Sequence, residues 1–183
     1  MTAPGAPDAA SPTPIPPAEP DAAAIDARVA AALERLGIPH ERMPCDPALA
    51  DTAAFCAHYG VPPEQTGNTI IVASRKEPKV HAACVVLATS RLDVNHAVTR
   101  LLAVKRLSFA SAEETRRVTG MLVGGVTIFG LPEEMPIYVD ERVMRLPEVI
   151  LGGGSRSWKL RVAPAELLRV PGIRVVKGLA QDA

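Results

Sequence analysis

The chain has 183 residues, 48% of them apolar and 22% charged, which is enough for one domain with a good core. Its 20 Lys and Arg balance 20 Asp and Glu, so it lacks the global positive field of non-specific DNA or RNA binders, and an RNA partner has to be held by a local patch. No apolar run approaches the roughly 18 residues of a membrane span, and no basic start leads into an apolar stretch as in a secretion signal; the expectation is a cytoplasmic protein with no membrane partner.

Residues 1–20 carry seven prolines among alanines and other small residues, a composition that forbids helix and gives a core no sidedness. They read as a disordered tail. The domain then spans 21–178, with 179–183 a short second tail. Asp21 can cap a helix whose Ile25, Val29, Leu33 and Leu36 form one stripe and which Gly37 stops. After an extended piece at 38–43, Asp46 and Pro47 signal a second helix ending near Gly60. Residues 68–75 and 80–88 are rich in Ile and Val around the polar turn RKEPK, which predicts a hairpin. Period two puts Asn68, Ile70, Val72 and Ser74 on one face and Thr69, Ile71, Ala73 and Arg75 on the other.

Asp93 is expected to cap a third helix, with Arg91 serving the preceding turn, and 105–109 to form a strand. Ser111 and Glu114 make a capping-box pattern for a short helix closed by Gly120. Strands are expected at 122–127, 136–140, 148–151 and 158–162, then a short helix from Pro164 and a last strand at 173–176. Strands and helices do not alternate as in a doubly wound fold, and no GxGxxG or P-loop is present. The fold class is α/β: a mixed, curved, partly barrel-like sheet with peripheral helices.

Cys45, Cys56 and Cys84 show no C-x-x-C spacing and read as buried small residues, with neither disulfide nor metal site expected and no cofactor. His40, His58, His81 and His96 fall in different elements and share no hydrolase motif with Ser155, which lies in GGGSRS and outside any G-x-S-x-G elbow. The chemistry concentrates in GMLVGGVTIFGL, residues 120–131. Its glycines allow backbone N–H groups to approach a ligand closely.

The order glycine pair, FGL, YVD, GGGSRSWKL and short helix resembles the YbaK/ProX family of aminoacyl-tRNA editing domains over roughly residues 25–175. The resemblance implies hydrolysis of the ester joining an amino acid to the 3' adenosine of a tRNA, by water assisted by the substrate's own ribose hydroxyl. A family strand that carries lysine, threonine and an apolar run matches NTIIV, so the lysine is replaced by Asn68. Asparagine offers neutral donors on a shorter stem, a loss on the order of tenfold in transition-state binding where nothing compensates.

On this reading Gly124, Gly125, Val126 and Asn68 are the catalytic candidates, the glycine segment supplying backbone donors to an oxyanion. Thr69, Ile128, Phe129, Gly130, Gly152, Gly153, Gly154 and Ser155 are assigned to substrate binding. Arg156, Lys159, Lys79 and Arg75 are assigned to RNA phosphates. Val126, Ile128, Phe129 and Leu131 as pocket lining imply a small or medium uncharged amino acid. The implied partners are the tRNA acceptor end and an aminoacyl-tRNA synthetase. The missing lysine keeps a second reading open, a non-catalytic module binding an RNA end, an aminoacyl group or a small metabolite, and a third, a domain joining a synthetase complex through its N-terminal helices.

Overall fold

The computed structural model describes residues 21–183; the segment 1–20 expected to be a tail lies outside the described residues. Helix α1, Ala22–Arg35, begins where Asp21 Oδ1 accepts from Ala23 N at 2.9 Å. Its Ile25, Val29, Ala32 and Leu33 are all at most 5% exposed, each large apolar side chain contributing about 1.5–3 kcal/mol by burial. Strand β1, Glu41–Pro44, follows.

The expected second helix is divided. A 3₁₀ turn covers Pro47–Leu49, and α2 runs Thr52–Tyr59, closed by Gly60 at φ 65°. The break falls at the fully buried Ala50, whose carbonyl accepts the Lys159 ammonium at 2.6 Å.

Strands β2, Gly67–Ser74, and β3, His81–Leu87, form the expected hairpin, with Gly67 opposite Leu87 and Ala73 opposite His81. The alternation holds, since Ile71, Ala83 and Val85 face one core cluster and Val72, Cys84 and Val86 the other. Strand β4, Ser90–Leu92, takes the place of the turn expected around Arg91. Asp93 does act as a cap, accepting from His96 N at 3.1 Å, but the helix opens as a π turn at Val94–Val98 and becomes α3 only at Thr99–Leu101.

Strand β5 is Leu107–Phe109, and α4 runs Ala112–Thr119 between Ser111 and Gly120. Ser111 Oγ accepts from Glu114 N at 3.1 Å, while the Glu114 carboxylate turns to Lys79 and His81, at 2.7 and 3.1 Å. Ser111→Ala is therefore expected to cost about 1 kcal/mol, read as a shifted urea midpoint at unchanged slope.

The strand expected at 122–127 does not form. This segment packs glycine-first against the turn at 152–155, with Gly154 N donating to Gly125 O at 2.6 Å, and makes no ladder. The remaining strands are β6 Ile137–Asp140, β7 Val149–Gly153, β8 Ser155–Val162, β9 Ile173–Val176 and β10 Ala180–Asp182. Residues 179–183 are thus no tail. Leu179 is fully buried, β10 pairs with β4, and the buried Asp140 carboxylate accepts from Ala180 N through Oδ2 at 2.9 Å and from Arg142 through Oδ1.

The strands make a mixed five-stranded sheet ordered β5-β2-β3-β6-β9, a three-stranded sheet β1-β8-β7 and the pair β4-β10. A parallel bridge from Thr66 to Ile150 brings β7 beside the start of β2, curving the two larger sheets toward each other without closing a barrel. That junction positions the site.

Candidate functional site

A cavity of about 340 Å³ lies where the first half of β2, helix α2, the 123–126 segment and β7 meet, within the usual size range of small-molecule pockets. Strand β2 pairs with β3 along its length, whereas β5 covers it only from Val72 to Ser74. Among the described residues the edge at Thr69 has no strand partner on that side. Thr69 Oγ1 is buried without a hydrogen-bond partner, an orphan that a ligand would satisfy. Asn68 Oδ1 accepts from Thr52 Oγ1 at 2.6 Å, so its amide N–H groups remain for a ligand.

The glycine segment supplies fewer donors than expected. Gly125 N–H is spent on Leu122 O at 2.8 Å, and Gly125 itself does not line the cavity. Gly124 and Val126 do line it, and among the described residues their N–H groups have no acceptor. Two residues with such free backbone donors, two positions apart, thus border the space.

Lys159 is the largest departure from expectation. Assigned from the sequence to RNA phosphates, it lies on β8, the central strand between β1 and β7, and is only 5% exposed. Its Nζ donates to Ala50 O at 2.6 Å and Gly124 O at 2.7 Å, sits 5.2 Å from the centre of the Phe55 ring, and has no carboxylate partner among the described residues. Burial pushes its pKa below the ordinary lysine range. An ammonium has three donors, and two are used. Because Lys159 lines the same cavity as Asn68, the cavity keeps a cation although the strand position carries a neutral side chain.

The other expected site residues divide clearly. Gly152 lines the cavity, whereas Gly153, Gly154 and Ser155 form the turn behind it. Ser155 is fully buried and its Oγ accepts from Ser157 N at 3.1 Å. Ile128 and Phe129, 1% and 0% exposed, belong to the core under α1, with Leu131 packed against it and Gly130 beside Arg28. None of these four reaches the cavity. Its apolar wall comes from Phe55, Ile70, Ile71, Val126, Ile150 and Leu151.

Arg156 acts as a tie, donating from Nε to Pro47 O at 2.8 Å and from Nη1 to Val123 O at 2.6 Å. Lys79 is held by Glu114, whose carboxyl is kept below its usual range first by the Lys79 hydrogen bond and then by His81. Arg75 is exposed beyond the end of β2, away from the cavity.

Sequence reasoning missed Thr52, Phe55, Phe109 and Thr115, all of which line the cavity. None gave a signal: Thr52 lay inside the second helix as expected from the sequence, and only the break at Ala50 puts it at a helix start. Among the described residues no cysteine or histidine lines the cavity, and all three cysteines are free and buried, with the Cys84 thiol pushed up to about 12 by desolvation. No thiol or imidazole nucleophile is on offer. The lining offers backbone amides, the Asn68 amide, threonine hydroxyls, one buried cation and the Asp51 carboxylate, whose Oδ1 lies 3.4 Å from Arg156 Nη1.

A family model described as the aminoacyl-tRNA editing domain matches residues 46–170. Among solved structures, a candidate trans-editing enzyme for prolyl-tRNA synthetase is 27% identical, with TM-score 0.72 over 86% of this chain and 97% of its own. A hypothetical protein is 25% identical, with TM-score 0.74 over 84% of this chain and 99% of its own. A scaffold used for computational epitope grafting, 24% identical, shares the fold at TM-score 0.72 over 86% and 97%.

Proposed function

The chain belongs to the family of aminoacyl-tRNA editing domains, and from that premise we propose that it is a deacylase that hydrolyses, in trans, the ester between a wrongly attached amino acid and the 3' adenosine of a tRNA. The observation that carries the proposal is the cavity itself, in which the Gly124 and Val126 amides and the Lys159 ammonium border one space. An ester acquires negative charge on its carbonyl oxygen as water attacks, and preorganised donors around that oxygen lower the barrier. As the family resemblance implies, the attacking water is activated by the substrate's own ribose hydroxyl. The protein's part is to fix the ester and stabilise the charge.

The editing unit is a single domain running from α1 to β10. Action in trans beside a prolyl-tRNA synthetase is supported by the similar structure named as a candidate trans-editing enzyme for that synthetase, which aligns over 97% of its own length. The apolar wall of Phe55, Ile70 and Leu151 favours a small uncharged side chain, although one methylene changes selection by only about 1–3 kcal/mol.

The test is a panel of aminoacyl-tRNAs that includes alanyl- and cysteinyl-tRNA for proline. Release of amino acid from at least one of them above the buffer rate is expected; a panel inert throughout would refute the proposal. Asn68, in place of the family lysine, favours a second reading as a binding module without hydrolysis. Under that reading Asn68→Lys would confer hydrolysis on an inert but ligand-binding parent.

A further inference from the structure

The cavity explains where an acyl group would sit, and a second surface beside it has no role in that chemistry. Phe109, the last residue of β5, lines the cavity yet is 57% exposed, and Val123 on the same rim is 47% exposed. The chain has only six aromatic residues besides histidine, so an uncovered phenyl ring at a pocket mouth is a costly placement for packing and a useful one for stacking. Past the other end of β5, Arg75 N donates to Arg106 O at 3.3 Å and sets two basic segments side by side. Arg75, Lys76, Lys105 and Arg106 are all exposed there, and none of the four has a salt bridge among the described residues. The nearby Glu77 accepts from Lys79 N, and Lys79 itself is bound to Glu114. A strand advances about 3.3 Å per residue, so Arg106 lies about 10 Å along β5 from Phe109.

We propose that this edge is the track for the single-stranded 3' end of the RNA: Phe109 stacks the terminal base at the cavity mouth, while Arg75, Lys76, Lys105 and Arg106 hold the phosphates of the preceding nucleotides. The proposal rests on the editing reading for the identity of the RNA. Its physical form is that of single-strand binders, where an aromatic platform takes a base and a row of cations follows the backbone. It also explains how a chain of zero net charge holds a polyanion, since the four cations cluster on one edge.

The test uses an RNA minihelix whose 3'-terminal base is 2-aminopurine and whose amino acid is joined by a non-hydrolysable amide, titrated by fluorescence at several salt concentrations. The parent protein is expected to quench the fluorophore and to bind less tightly as salt rises. Changing all four cations to glutamine is expected to weaken minihelix binding about tenfold or more and to flatten the salt slope by about 0.7 per cation, while leaving binding of the amide-linked aminoacyl adenosine alone unchanged. Phe109→Ala is expected to abolish quenching and to weaken both ligands about tenfold. An unchanged affinity and salt slope in the quadruple variant, or intact quenching in Phe109→Ala, overturns the track. Because binding is read without turnover, a parent that binds in this way but hydrolyses nothing would refute the deacylase and leave the track standing.

Discussion

Replacing Lys159 by methionine is expected to lower the rate of ester hydrolysis by about 10²- to 10³-fold, the usual effect of removing one donor from a developing oxyanion. Methionine keeps an apolar stem of similar length and deletes the ammonium. Ala50 O and Gly124 O each lose a donor, at about 1–3 kcal/mol apiece, offset by relief from burying a charge with no carboxylate partner. The variant should therefore fold with moderate loss of stability. Single-turnover measurements should place the loss in kcat more than in KM. Because burial holds the Lys159 pKa below the ordinary lysine range, enhancement over the buffer rate should fall on the alkaline side before a typical lysine would titrate, and the methionine variant should lack that limb. Parental kinetics in the variant would reduce Lys159 to a brace for the 123–126 segment.

The second large effect belongs to the backbone. A Cβ on Gly152 would meet the carbonyl oxygens of Gly125 and Val126, and one on Gly125 would meet Ser155 O, in each case closer than real Cβ contacts allow. These obstacles are main chain and cannot swing aside like a flexible side chain. Gly152→Ala is expected to destabilise by about 3 kcal/mol, a fall in melting temperature of roughly 6–12 °C for a chain of this size. Hydrolysis should fall with it, since the displaced segment carries the Gly124 and Val126 amides. A thermal melt within a degree or so of the parent would show that the two backbones do not meet as described.

Much of the fold was legible because its signals are local. Asp21, Ser111, Gly60 and Gly120 mark helix ends by interactions within a few residues, and the β2–β3 hairpin follows from two β-branched runs around a polar turn. The failures share a different cause. Lys159 looks like a strand-edge charge until β1 and β7 are seen on either side of it, and the helix break at Ala50 is made by a side chain 109 residues away. Residues 122–127 include Leu122, Val123 and Val126 and so read as a strand, yet their neighbour is a glycine turn that accepts packing and offers no ladder. Strands β4 and β10 are three residues each, too short for any periodicity to emerge.

The site was legible in the same uneven way. The glycine segment and Asn68, singled out from the sequence, both contribute to the cavity lining through Asn68, Gly124 and Val126. The residues assigned to its apolar wall were wrong at Ile128 and Phe129 because which side of a loop faces a cavity depends on what covers the other side, here α1. Phe109 had no signal at all: its exposure comes from β5 ending at the rim.

The match to the editing family starts at residue 46, but the methyl groups of Ile25 and Val29 rest directly on Gly154, in the turn whose amide holds Gly125 O. Helix α1 thus props the far wall of the cavity from outside the segment that the family model matches. A shortened protein trimmed to that boundary would uncover greasy surface under its own hinge, so the smallest unit worth purifying begins no later than Asp21.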